Sequence, residues 1–243
     1  MDAYSTQPGL VAIVVGGSVA HGLARPDSDV DFFFVVGDVE TERVTFSDRE
    51  VADYEGGYAD VKLVTPGFIA EVAERGSEPA RWAFRDAFPV WSRGDAIDTA
   101  LAAAAAYPEA ERDQKLWDFV AHAAIAAWYL GEAQKREDLY LPQYAATHLV
   151  LYAGRAVLAY NRMLFPFHKW FMTELERAPE RPAGMLGLAR GLLRAPTTAA
   201  AAQLVSDVQD FTGIHPTMAE NAASFMRRTE WSWRTGGAPF DES

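Results

Sequence analysis

Two apolar runs, Leu10 to Val15 and Val30 to Val36, stand near the start of the chain, hydrophobic throughout except for Asp31, as strands inside a sheet are. The segment between them is polar, carries Gly16 and Gly17, and is broken by Pro26. This pattern predicts strand, tight turn, a short helix from Ser18, loop and strand. From Gly37 to Asp48 the chain is polar without a core face and reads as an excursion. Glu50 to Val64 reads as two extended halves around Gly56-Gly57, a hairpin signal. In the second half, alternation places Tyr58, Asp60 and Lys62 on one face and Ala59, Val61 and Leu63 on the other. Thr65-Pro66 and Ser77 are helix starts, for helices reaching Arg75 and Asp86, and Phe88 to Asp95 reads as a short fourth strand and turn.

Beyond Asp95 the alternation disappears, and alanine, leucine and aromatic residues recur at helical spacing. The predicted helices run over 97–106, 109–136, 142–162, 166–177, 185–193, 197–211 and 216–234, with Pro108, Pro142, Pro166, Pro196 and Pro216 at or near their starts. The expectation is an α+β chain: a small mixed-sheet domain over 1–95, then an all-α domain over 96–243. On the helix around Trp117, the residues Asp118, His122, Tyr129 and Glu132 form a polar stripe opposite Trp117, Ala121, Ala124 and Trp128. Such a stripe reads as a solvated face.

Composition narrows the chemistry. The chain has 243 residues and no cysteine, so disulfides and thiolate chemistry are excluded, and a metal would be held by oxygen or imidazole ligands. No apolar run is long enough to span a bilayer and no signal peptide is visible, which predicts a cytoplasmic protein without a membrane partner. The net charge is −12 and unevenly spread, residues 1–95 carrying 17 Asp and Glu against 8 Lys and Arg. That balance argues against a long nucleic acid as partner and suits a small cationic one.

The candidate chemistry lies between the first two strands. Gly16 and Gly17 allow a sharp turn that brings the backbone close to a ligand, and Ser18 follows with a hydroxyl at the turn, a combination suited to phosphate. Asp29 and Asp31, two apart at the mouth of a strand, project from one face and can share a divalent cation. Gly-Ser, a spacer of about ten residues and Asp-x-Asp between apolar runs resemble the signature of the nucleotidyltransferase superfamily, which includes DNA polymerase beta-like and antibiotic nucleotidyltransferases.

The resemblance implies a third carboxylate on the strand beside Asp-x-Asp, and Asp60 is the matching position. It implies two Mg2+ ions held by Asp29, Asp31 and Asp60, ATP or another nucleoside triphosphate as co-substrate, and transfer of a nucleoside monophosphate to an acceptor hydroxyl. The helical half, matched only in type, would bind an acceptor of small, polar, aminoglycoside-like character. The alternatives are an antitoxin-like transferase that modifies proteins and a non-catalytic nucleotide-binding protein. From the residues alone, Gly16, Gly17, Ser18 and Lys62 are further expected to contact the triphosphate. His168 and Lys169 join them because basic residues at a helix start oppose the macrodipole unless an anion holds them there. The general base is expected to be Asp60 or a helical-domain carboxylate such as Glu132.

Overall fold

The computed structural model describes residues 9–37, 58–136, 138–234 and 240. The expected first half of the Gly56-Gly57 hairpin and the polar excursion after Gly37 lie outside them. The chain divides into two compact units, Met1–Tyr107 and Pro108–Ser243.

In the first unit a four-stranded mixed sheet has the order β3-β2-β1-β4, with β1 Leu10–Gly16, β2 Val30–Val36, β3 Ala59–Val64 and β4 Phe88–Ser92. β1 is antiparallel to β2 and to β4, while β2 and β3 run parallel, with Asp31 opposite Asp60 and Phe33 opposite Lys62. One turn of helix, α1 (Gly17–Ala20), follows β1 directly. Helices α2 (Pro66–Arg75) and α3 (Glu78–Phe84) begin at the expected caps: Thr65 Oγ1 accepts from Phe68 N at 3.0 Å and Ser77 Oγ from Ala80 N at 3.4 Å. Phe33, Val35 and Val64 form one core with Ile69, Val72 and Phe84.

A fourth helix, α4 (Ala96–Ala104), adds Ile97, Leu101 and Ala104 to that core. The first unit therefore extends to Tyr107, past the border near residue 95 drawn from composition. An alanine-rich helix reads the same whether it packs on a sheet or on other helices, because composition records propensity and not partner.

The second unit is helical and is built on α5 (Arg112–Ala133) and α6 (Tyr140–Tyr160), which pack along each other. Around them lie α7 (Phe171–Arg177), α8 (Met185–Arg194), α9 (Thr198–Thr212) and α10 (Met218–Phe225). Phe119, Leu149, Val157, Leu175, Leu192 and Leu204 lie in the shared core. Arg155 is also fully buried, its guanidinium 4.2 Å from the Phe119 ring centre and 4.5 Å from that of Phe165, and it donates to the Phe240 carbonyl at 3.0 Å.

The stripe on α5 is not a solvated face. Asp118 and His122 are buried, whereas Trp128, expected on the apolar side, is 47% exposed. Polar groups from the end of the chain cover the stripe: Ser224 Oγ donates to Asp118 Oδ1 at 2.6 Å and Arg228 Nε to Oδ2 at 2.7 Å. His122 Nδ1 donates to the Asp118 carbonyl at 2.7 Å, and Thr229 Oγ1 lies 3.3 Å from Nε2.

Burial pushes the His122 imidazole down to about 4; the carbonyl and carboxylate of Asp118 pull the other way without restoring it, and Arg228 lowers it further. The folded value lies below the unfolded one, so the native state binds fewer protons between the two. Stability from this residue is therefore complete above about pH 6.5 and is lost as pH falls toward 4, to a total of about 3 kcal/mol. Urea unfolding at pH 7, 5.5 and 4.5 should show that loss in the wild type. His122→Gln should remove the part of the slope lying between pH 6.5 and 4, and an unchanged slope would assign it to other groups.

Candidate active site

The site forms where β1 ends and β2 and β3 begin. In a parallel pair, residues in register share a face, so Asp31 and Asp60 project together, and Lys62, two residues on, joins them. Phe33, Val35 and Val64 continue the same face into the core, so the carboxylates stand at the rim of the buried surface. Asp29 lies one residue before β2 and completes the group: one carboxylate oxygen from each of Asp29, Asp31 and Asp60 lies within 4.8 Å of the others. The side chains of Asp31 and Asp60 are only 23% and 28% exposed. Water screens such a cluster poorly, so a cation is strongly favoured there.

Lys62 supplies one. Its Nζ donates to Asp31 Oδ1 at 2.5 Å and to Asp60 Oδ2 at 3.1 Å, and lies 5.5 Å from the centre of the Phe33 ring. Burial draws the Lys62 ammonium downward, but hydrogen bonds and charge from Asp31 and Asp60 outweigh it and leave the pKa raised.

The glycines are dictated by close approach. Gly17 has φ +60, and a Cβ there would stand 1.9 Å from Asp31 Oδ2. A Cβ on Gly16 would fall 2.7 Å from Phe33 Cε2 and 3.0 Å from the Ala83 carbonyl oxygen. The turn thus seats itself on the Asp31 carboxylate, and side-chain-free backbone lines that part of the site. Beside it Ser18 is 5% exposed, and its Oγ is buried with no hydrogen-bond partner among the described residues. A buried hydroxyl without a partner is costly unless a ligand completes it.

His21 was missed from the sequence, being a lone histidine in a loop. It is buried at the end of the turn, its ring centre 3.8 Å from that of Trp82 and its Nδ1 3.4 Å from Asp86 Oδ2. It fastens the Gly-Gly-Ser turn to α3 and the residues after it. No spacing rule marks this role, because Trp82 and Asp86 lie more than sixty residues further along the chain.

Of the residues read from the sequence, Gly17, Asp29, Asp31, Asp60 and Lys62 are brought together, with Gly16 and Ser18 in the adjoining turn. His168 and Lys169 belong to the second unit, in the short 3-10 turn His168–Trp170 ahead of α7, and both are exposed. Glu132, also in the second unit, is paired with Lys135 at 2.5 Å.

The first unit joins a strand–Gly-Gly-Ser turn to three carboxylates at the mouths of adjacent strands, and residues 3–77 match the nucleotidyltransferase domain family. The chain as a whole shares its fold with a nucleotidyltransferase-like protein from Exiguobacterium sibiricum 255-15, known from a crystal structure. The two are 11% identical with a TM-score of 0.50, and the match covers 93% of this chain and 74% of that one. No curated protein sequence matches the chain. Among the described residues, no helix is long and apolar enough to cross a membrane.

Proposed function

We propose that this protein transfers a nucleoside monophosphate, AMP from ATP, to a hydroxyl of a small, polar, cationic acceptor of the aminoglycoside type. The observation that carries the reading is the union of three converging carboxylates, two of them in register on neighbouring strands, with a buried, unpartnered serine hydroxyl in a glycine turn. The donor set is all oxygen, which fits Mg2+. Asp29, Asp31 and Asp60 would hold the divalent cation, and Ser18 with the backbone at Gly16 and Gly17 would hold the phosphates. The acidic balance of residues 1–95 favours a cationic acceptor over a nucleic-acid backbone.

In the reaction the acceptor oxygen forms a bond to the α-phosphorus while the bond to the pyrophosphate oxygen breaks on the opposite side. The acceptor's proton passes to Asp60, whose half-buried position keeps it within the site and out of bulk water. When bound, the metal supplies polarisation of the phosphate oxygens and neutralises charge on the leaving pyrophosphate. The backbone at Gly17 and the Ser18 hydroxyl fix the triphosphate so that the displacement is in line.

The test is pyrophosphate release with Mg2+ and each of the four nucleoside triphosphates, in the presence of aminoglycosides, RNA ends or candidate proteins. Transfer to an aminoglycoside supports the reading. Transfer to protein side chains alone would keep the chemistry and replace the acceptor, and absence of transfer with nucleotide bound would make the protein a sensor. Ser18→Ala should weaken triphosphate binding by about tenfold or more, the range for hydrogen bonds to charged groups, with little change in thermal stability. Calorimetry with a non-hydrolysable ATP analogue checks it, and unchanged affinity would remove Ser18 from the phosphate site.

A further inference from the structure

The ammonium of Lys62 lies between the carboxylates of Asp31 and Asp60, in the group that the proposed function gives to a metal. We propose that Lys62 is a built-in counter-ion of the triad: it holds the carboxylates together before any divalent cation arrives, and a cation entering the triad has to displace it. This rests on the triad being a divalent-cation site.

Three carboxylates converging within 4.8 Å repel one another and, with no cation present, would turn apart or take up a proton. The fold restricts the first escape for Asp31, whose carboxylate is pressed against the Gly17 backbone. Asp60 is held on the neighbouring strand by register. The lysine bonds both, and Asp29 stands within 4.8 Å of the pair, so the site is assembled in the metal-free protein.

A fixed positive charge at this distance also opposes a divalent cation. Lys62 therefore trades metal affinity for a preformed site. A lysine is suited to this exchange, because its long flexible stem lets the ammonium withdraw while the strand stays in place.

The experiment is titration of the full chain with Mn2+ alone, without nucleotide, in wild type, Lys62→Met, Lys62→Gln and Asp31→Asn, with thermal unfolding in EDTA and in Mn2+. Both neutral variants at position 62 should bind Mn2+ about tenfold tighter than wild type or more. Both should melt lower than wild type in EDTA and recover more on adding Mn2+. Lys62→Gln keeps a hydrogen-bond donor and guards against misfolding of Lys62→Met. A lysine that merely braced the strand would, once removed, leave Mn2+ affinity unchanged or lower, and that result overturns the proposal while sparing the metal site. If Asp31→Asn binds Mn2+ as wild type does, or none of the proteins binds it, the metal-site reading itself falls, and the proposal with it.

Discussion

Asp31→Asn should reduce nucleotidyl transfer by a factor on the order of 10^3 or more, while the protein stays folded. Asp31 joins three parts of the site: it receives the Lys62 ammonium, stands opposite Asp60 and lies against the Gly17 backbone. Asparagine keeps the shape and one carbonyl oxygen, so the turn retains its seat. What is lost is a negative charge where, in the proposed reaction, a metal and a developing charge would be balanced. Asp60→Asn should also lower turnover by orders of magnitude yet leave triphosphate binding nearly intact, since in the proposed reaction Asp60 takes up the acceptor proton only in the transition state. Steady-state kinetics beside thermal melts decide both. An Asp31→Asn enzyme within tenfold of wild type would return the carboxylates to an ordinary acidic rim.

Gly17→Ala should be nearly as damaging through a different route. Part of the cost is conformational, about 1 kcal/mol for an L-residue at positive φ. The larger part is collision, since the new methyl would stand 1.9 Å from Asp31 Oδ2 and one of the two must move. Moving Asp31 takes it from Lys62 and out of the triad, so turnover should fall by about 100-fold or more, the penalty of misplacing a reacting group by about an ångström. Gly22 provides the control, with φ +65 and open space where its Cβ would be. Gly22→Ala should show the conformational cost alone, a melting temperature lower by a few degrees, roughly, with turnover unchanged. Equal turnover in the two variants would mean that the contact between turn and carboxylate does not matter to the reaction.

Two features of the structure lie beyond periodicity and composition for the same reason. The stripe of Asp118 and His122 on α5 was legible as polar, but the groups that cover it, Ser224, Arg228 and Thr229, come from about a hundred residues later. Periodicity tells which side of a helix is polar and cannot tell whether another polar surface closes over it. The place of α4 on the sheet is a similar case, because α4 has ordinary helical composition and its attachment to the sheet is a matter of packing.

By itself the amino-acid pattern determined the elements and the chemistry they carry. Apolar runs and period-2 alternation marked β1, β2 and β3, proline and hydroxyl caps marked the starts of α2 and α3, and the Gly-Gly-Ser turn and Asp-x-Asp pair stood out by spacing. These are short-range signals, set by backbone geometry within a few residues. Only the tertiary structure decided that β3 lies parallel to β2 with Asp60 opposite Asp31, that Lys62 sits between them, and that Gly17 is required by the Asp31 carboxylate. Those facts depend on register between segments far apart in the chain, where a shift of one residue would turn Asp60 and Lys62 to the opposite face. Strand alternation is unchanged by such a shift, so the sequence pattern carries no record of it.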